Sequence, residues 1–317
     1  MSTLETNSIG KYNGNNVSVD DALRLKSYTT TQRDALTSVA GDVIYNSTTN
    51  KVQFYNGSAW ADTSTDILKI EYLVIAGGGG GAGSYGGGGG AGGYRNSYST
   101  EASGGGNTNG EMPVVADTSV NYTVTVGAGG SAGSGDQNGS SGANSVFADT
   151  TSTGGGGAGH RTSGGLSGGS GGGSGGGPSS AGSGGSGAAN QGYAGATRNS
   201  SNYSGSGGGA GSSPTGNGNA VAGSPLSSSI TGSAVSRAGG GPGTGSSSPS
   251  PSGRGSANLG GGGSVNTAGD SGVVILRYPK SFTISNPGGG LTTAGEVTTG
   301  DNKYIIYTAG TGNVSFS

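Results

Sequence analysis

The chain has 317 residues, of which 78 are glycine; only 28% are hydrophobic and 9% charged. A typical globular chain is about 45–50% apolar counting its roughly 7% glycine, so 28% reached without glycine excludes a side-chain core of ordinary size. The net charge of −2 supplies no basic field for nucleic acid, and the absence of Cys excludes disulfides, thiolate metal sites and cysteine nucleophiles.

Composition divides the chain into residues 1–69, 70–279 and 280–317. Met1–Thr6 lacks the charged and apolar regions of a secretory signal, so synthesis in a cytoplasm is expected. No stretch approaches the roughly 20 apolar residues of a membrane span. Val17–Leu25 reads as a strand edge running into a short helix, and Thr31–Leu36 as a short helix with an N-cap threonine. Gly41–Asn46 and Lys51–Trp60 flank the polar turn Ser47–Asn50 and predict a β-hairpin, with Asn56-Gly57 as a second tight turn. A hairpin alone is marginal, so its apolar face is expected to meet other copies of the chain.

Residues 70–279 open on Ile70–Ala76 and close on Ser271–Tyr278, with an alternating strand at Val120–Val126. These three are expected to pair in one small sheet. Glycine tracts fill the space between, near 77–93, 103–110, 127–142, 154–177, 182–195, 205–218, 239–245 and 253–263. They arrive in blocks rather than at every third position, which excludes collagen. Two readings compete. One is a flexible Gly/Ser linker. The other is a bundle of polyproline II helices, which have three residues per turn and no internal hydrogen bonds. Only glycine lets such helices approach closely enough to bond to one another. The expected fold class is therefore mostly β with a glycine-rich polyproline II bundle, small β modules at both ends and little α-helix.

The chemistry of a site is sparse. The many GxGxxG strings follow from composition, and none opens a helix after a strand. The one histidine, His160, sits between glycine tracts with no Asp or Glu from 150 to 269, and reads as an exposed loop side chain. No catalytic residues, cofactor or metal site are expected. The connectors between tracts carry the body's large side chains: Tyr94, Arg95, Tyr98, His160, Arg161, Tyr193, Arg198, Tyr203, Arg237 and Arg254. Either these solubilise the chain or they recognise a ligand, since function tends to sit on loops held by a scaffold. Within Tyr193–Tyr203, the residues Tyr193, Arg198, Asn199, Asn202 and Tyr203 form the primary candidate binding loop. Tyr94, Arg95, Tyr98, His160 and Arg161 are secondary candidates.

Glu71–Gly81, Gly92–Arg95, Tyr122–Gly130 and Ser271–Pro279 together resemble a glycine-rich domain widespread in virion proteins of tailed phages, especially the marine and cyanophage type. Thr31–Leu36, Gly41–Asn46 and Tyr55–Trp60 resemble a module of phage fibre and tail proteins, and Tyr307–Phe316 is similar to the end of such proteins. The resemblance implies a tail fibre or adhesin, a homotrimer located in the virion. Its N-terminal module would join other tail or capsid proteins. Its body would meet a host cell-surface glycan or outer-membrane protein, without nucleic-acid binding or membrane insertion. With no long coiled-coil or β-helical shaft in the sequence, the implied object is a short fibre or a knob. Decoration of the capsid or tail without specific receptor binding, and a depolymerase, remain the alternatives.

Overall fold

A computed structural model describes residues 25–63, 67–108, 110–177, 182–198, 203–215, 221–244 and 258–317. The Val17–Leu25 expectation lies almost wholly outside them. The chain divides into two compact units, Met1–Asp66 and Ile67–Ser317.

In the first unit, strand β1 (Ser27–Tyr28) leads into helix α1 (Thr30–Asp34). The N-cap is Thr29 rather than Thr31. Thr29 Oγ1 accepts the Gln32 amide at 3.3 Å, and Gln32 Oε1 accepts the Thr29 amide at 3.0 Å. That reciprocal box fixes the helix start two residues early. Strands β2 (Val43–Asn46), β3 (Lys51–Tyr55) and β4 (Trp60–Asp62) follow, and the sheet order is β1-β2-β3-β4. The turns are allowed by Asn50 (φ 55°) and Gly57 (φ 98°).

The two faces of this sheet invert the usual pattern. Ile44 is buried, but so are Asn46 and Gln53 beside it. Asn46 Nδ2 donates to Gln53 Oε1 at 2.9 Å, Arg33 Nη1 donates to the same oxygen at 3.0 Å, and Gln53 Nε2 donates to Asp62 Oδ1 at 2.7 Å. The Gln53 amide, with Lys51 beside it, holds the Asp62 carboxyl below the usual carboxylate range. The opposite face turns Val43 and Phe54, directly paired across β2 and β3, toward solvent.

The second unit is built on a ten-stranded sheet. Its strands are β5 (Lys69–Ile75), β6 (Tyr94–Asn96), β7 (Val114–Val115), β8 (Tyr122–Val126), β9 (Ser145–Phe147), β10 (Thr150–Ser152), β13 (Val273–Pro279), β14 (Ile284–Ser285), β15 (Leu291–Thr299) and β16 (Asn302–Phe316). The main path is β10-β9-β8-β16-β13-β5-β6, with β14 and β15 on β16 and β7 on β5. A separate hairpin joins β11 (Leu226–Ser228) and β12 (Val235–Arg237).

Two expectations are corrected here. β8 does not pair with β13, because β16 lies between them, opposite Tyr122–Val126 on one side and Val274–Pro279 on the other. For the same reason, residues 280–317 are not a separate module: their longest strand is an interior strand of the shared sheet, and burying its Ile305, Tyr307, Val314 and Phe316 requires the neighbours.

Both faces of this sheet are covered. Ile70, Tyr72, Val74, Val274, Leu276 and Tyr278 point into one apolar cluster, and Leu73, Ile75, Val273 and Ile275 into another with Tyr94 and Ile230. Burial on both faces explains why β5 and β13 read as continuous apolar runs instead of alternating.

The glycine tracts leave the sheet and pack on one another through backbone. Amides of Gly77, Gly80 and Gly83 donate to the carbonyls of Ala143, Ser140 and Gln137. Those of Gly78 and Gly81 donate to Asp270 and Thr267, and that of Gly79 to Gly90. The returning tract repeats the rule. Gly87, Gly90 and Gly93 donate to Gly159, Gly156 and Thr153; Gly88 and Ala91 to Gly205 and Gly208; Gly89 and Gly92 to Gly263 and Gly260. Each residue faces a different neighbour from the one before it, and the same neighbour returns at every third residue. A Cβ on Gly77, Gly78 or Gly89 would lie under 3.0 Å from the carbonyl oxygen of Ala128, Gly261 or Gly79. Tracts 74–83 and 86–94 are buried throughout, so their amides need these partners.

Candidate functional site

The tracts run out from the sheet and back, which sorts the body's side chains between two ends. The outward run from β5 turns at Ser84–Tyr85 before returning from Gly86 to β6. The run from β8 turns near Gly135–Gln137, and the run from β10 turns at His160–Ser163. These turns meet. His160 forms an antiparallel bridge with Gly86, and its amide donates to Asn138 Oδ1 at 2.7 Å. Ser204 Oγ and Thr244 Oγ1 both donate to the Gly86 carbonyl, at 2.6 and 3.0 Å.

This distal end gathers Tyr85, Asp136, His160, Arg161, Arg198 and Tyr203. The Arg161 guanidinium lies 5.9 Å over the Tyr85 ring, close enough for a cation–π contact, and its Nε is 3.6 Å from Asp136 Oδ1. Tyr85 (φ 55°) and Arg161 (φ 47°) both hold left-handed backbone, uncommon for side chains of this size. The Gly176 and Gly177 amides donate to their carbonyls and fix them there. Tyr85 is 60% and Tyr203 41% exposed. The Arg198 amide donates to Ser174 Oγ at 2.9 Å, next to Gly175, whose Cα lies against the Arg161 backbone.

His160 is not the exposed loop side chain expected. Its ring is buried, with Nε2 3.4 Å from Asp136 Oδ1. Its backbone bridges Gly86 and bonds Asn138, distant contacts that its own flanking residues do not announce.

The other candidates lie at the sheet end. Tyr94 belongs to β6, not to a connector, and is fully buried; burial pushes its phenol up. Arg95 Nε and Nη2 reach Glu111 Oε1 and Oε2 at 2.9 and 2.8 Å, a bidentate pair, and Tyr72 Oη donates to the same carboxylate at 2.8 Å. Tyr98 packs under the Arg277 guanidinium at 5.1 Å. Tyr193 is half-buried inside a tract, its amide on the Gly209 carbonyl and its carbonyl taking the Gly171 amide. The primary loop is therefore divided, with Tyr193 at the sheet end and Arg198 and Tyr203 at the distal end. Asn199 and Asn202 lie outside the described residues.

Tyr85 and Asp136 were missed by sequence reasoning. The available signal was Ser84-Tyr85 interrupting two blocks of five glycines, Gly77–Gly81 and Gly86–Gly90. Among the described residues no three His, Cys, Asp or Glu side chains converge as metal ligands, and no helix is long and apolar enough to cross a membrane.

What the fold defines is a β-sheet-anchored body whose interior is glycine backbone. The chain belongs to the glycine-rich domain family, whose profile matches residues 51–279. Comparison with curated proteins and with solved structures finds no match.

Proposed function

We propose that this chain is a tailed-phage virion protein, a short fibre or tip adhesin that binds a host cell-surface glycan or outer-membrane protein without catalysis. In this reading the glycine tracts are polyproline II helices, a conformation with three residues per turn, and the three-residue recurrence of their hydrogen-bond partners supports it. Such a bundle is a stiff support for side chains at its distal end, because every tract is tied to several others. The observation that carries the reading is the distal end itself, where exposed Tyr85, Arg161 and Tyr203 stand on backbone held by buried glycine tracts. Aromatic and Arg side chains on rigid backbone are what a recognition surface uses.

The N-terminal unit serves as the attachment module. The solvent-facing Val43 and Phe54 support self-association, and a homotrimer is the assembly this reading takes. The test is immunogold labelling of the virions that carry the chain, followed by competition of adsorption with purified protein. Labelling at the tail, with competition abolished in a Tyr85→Ala/Arg161→Ala/Tyr203→Ala variant of unchanged thermal midpoint, is the expected outcome. Labelling on the capsid with adsorption unaffected would replace the adhesin with a decoration protein.

A further inference from the structure

We propose that Asn56 is a modification site: in the folded chain it loses ammonia through attack by the Gly57 backbone nitrogen and becomes aspartate or isoaspartate, with no enzyme required. The proposal does not rest on the adhesin reading. Asn-Gly is the dipeptide most open to this reaction, because glycine places no Cβ beside the attacking nitrogen. The chain has five such pairs, beginning at Asn13, Asn56, Asn109, Asn138 and Asn217. Of these, Asn56-Gly57 and Asn138-Gly139 lie wholly within the described residues.

Three observations single out Asn56. Its Oδ1 accepts hydrogen bonds from the Ser58 amide at 2.9 Å, the Ser58 hydroxyl at 2.9 Å and the Ala59 amide at 2.8 Å. The bond from the Ser58 amide closes an Asx turn, a ring that includes the Gly57 nitrogen. The Gly57 amide itself has no hydrogen-bond partner among the described residues. Residues 56–59 are all exposed, so solvent base and water reach the turn. Asn138 and Asn46 supply the contrast. Asn138 Oδ1 accepts the His160 amide at 2.7 Å, but the next amide, that of Gly139, is bound to the Ala158 carbonyl at 3.0 Å. Asn46 Oδ1 also accepts two backbone amides, those of Thr48 and Thr49, yet Asn46 is buried and the Ser47 amide is bound to the Tyr28 carbonyl at 2.8 Å. In both, the nitrogen that would attack is already occupied.

The step runs as follows at Asn56. Solvent base removes the Gly57 amide proton, and the nitrogen attacks Asn56 Cγ. Negative charge collects on Oδ1, where three donors already point, the arrangement of an oxyanion hole. The new N–Cγ bond stays and the Cγ–Nδ2 bond breaks. Nδ2 leaves as ammonia, taking from solvent a proton that replaces the one given up. Water then opens the cyclic imide at either carbonyl. The product carries one additional negative charge, and its isoaspartate form lengthens the β3–β4 turn by one backbone atom.

The full chain would be incubated in mildly alkaline buffer and mapped by mass spectrometry with isoaspartyl-specific detection. Conversion at Asn56 is expected to run at least about tenfold faster than at Asn138, the factor that one amide hydrogen bond can supply, with Asn46 left intact. Ser58→Ala removes one of the three donors at an exposed position. It should slow conversion of the folded chain by about threefold or more and leave the rate in urea unchanged, since the donors act only when the turn holds them. The thermal midpoint should match that of the parent. Asn56 retained in the folded chain but converted in urea overturns the proposal, because the turn would then protect the side chain. So does an equal rate at Asn56 and Asn138, or a Ser58→Ala rate equal to the parent's in the folded chain. All readouts are made on the isolated chain, so failure here is distinguishable from failure of the adhesin reading.

Discussion

The sheet and the glycine tracts of the second unit meet the same requirement by opposite means. Both must remove backbone from water. In β5 and β13 the ladder satisfies the amides, and Leu73, Ile75, Val274, Ile275 and Leu276 fill both faces with side chains. In tracts 77–83 and 87–93 the amides are satisfied by different neighbours in turn, and there are almost no side chains to bury. The comparison shows that a low apolar fraction limits only a side-chain core. Where Cβ is absent, hydrogen-bonded backbones close the interior, and dispersion between them replaces much of the apolar burial. The two regions should therefore fail in opposite directions, one when atoms are removed and the other when they are added.

The largest effect is expected from adding a single methyl group. At Gly89 a Cβ would collide with the Gly79 carbonyl, and at Gly78 with that of Gly261. Backbone on both sides cannot move aside as a side chain can, so Gly89→Ala should cost more than about 3 kcal/mol, and Gly89→Val should prevent recovery of folded protein. Chemical denaturation gives the comparison. In the sheet the matching experiment removes atoms. Ile275→Ala should cost about 2–5 kcal/mol through lost burial and the cavity left behind.

Alkaline pH should separate the two cores next. Burial, with the bond to Glu111, pushes the Tyr72 phenol from its ordinary value of 10.0 up to about 12. Tyr278, which donates to Glu296, and Tyr307 are raised as well, by burial first. Between pH 10 and 12 the unfolded chain has lost the Tyr72 proton that the folded chain keeps, so stability falls as pH rises through that window. Below pH 10 this contribution is fully present. Tracts 77–83 and 87–93, made of Gly and Ala alone, carry no such group. Tyrosinate absorbance should therefore rise together with loss of the sheet. The smallest effect is the control. Gly288 has open space where a Cβ would go and no positive φ, so Gly288→Ala should stay within about 0.5 kcal/mol of the parent.

Much of the sheet was legible because its central strands are short apolar runs bounded by glycine, as at Ile70–Ala76 and Ser271–Tyr278. The β2–β3 hairpin was legible from its turn, Ser47–Asn50. The place of β16 was not, because it depends on contacts such as Thr123 with Asn313, 190 residues apart, that no local pattern encodes. Arg161 was visible as one of the few large side chains among glycines, but its company was not. Tyr85, Asp136 and His160 come from three different turns, and only the packing of the tracts brings them together. Tyr94 misled because it directly follows a glycine tract, where a strand and a connector look alike. The polar interior of the first unit left no trace either: Asn46 and Gln53 occupy positions that an alternating strand ordinarily gives to solvent.

Amide hydrogen exchange on the intact protein tests the central claim most directly. If the glycine tracts form a hydrogen-bonded core, amides across 77–83, 87–93 and 154–159 should exchange as slowly as those of β5 and β13, and should lose protection together with them on denaturation. Exchange of those tracts at the rate of an unstructured chain, while β5 and β13 stay protected, would contradict the account and leave the body as a tether between strands.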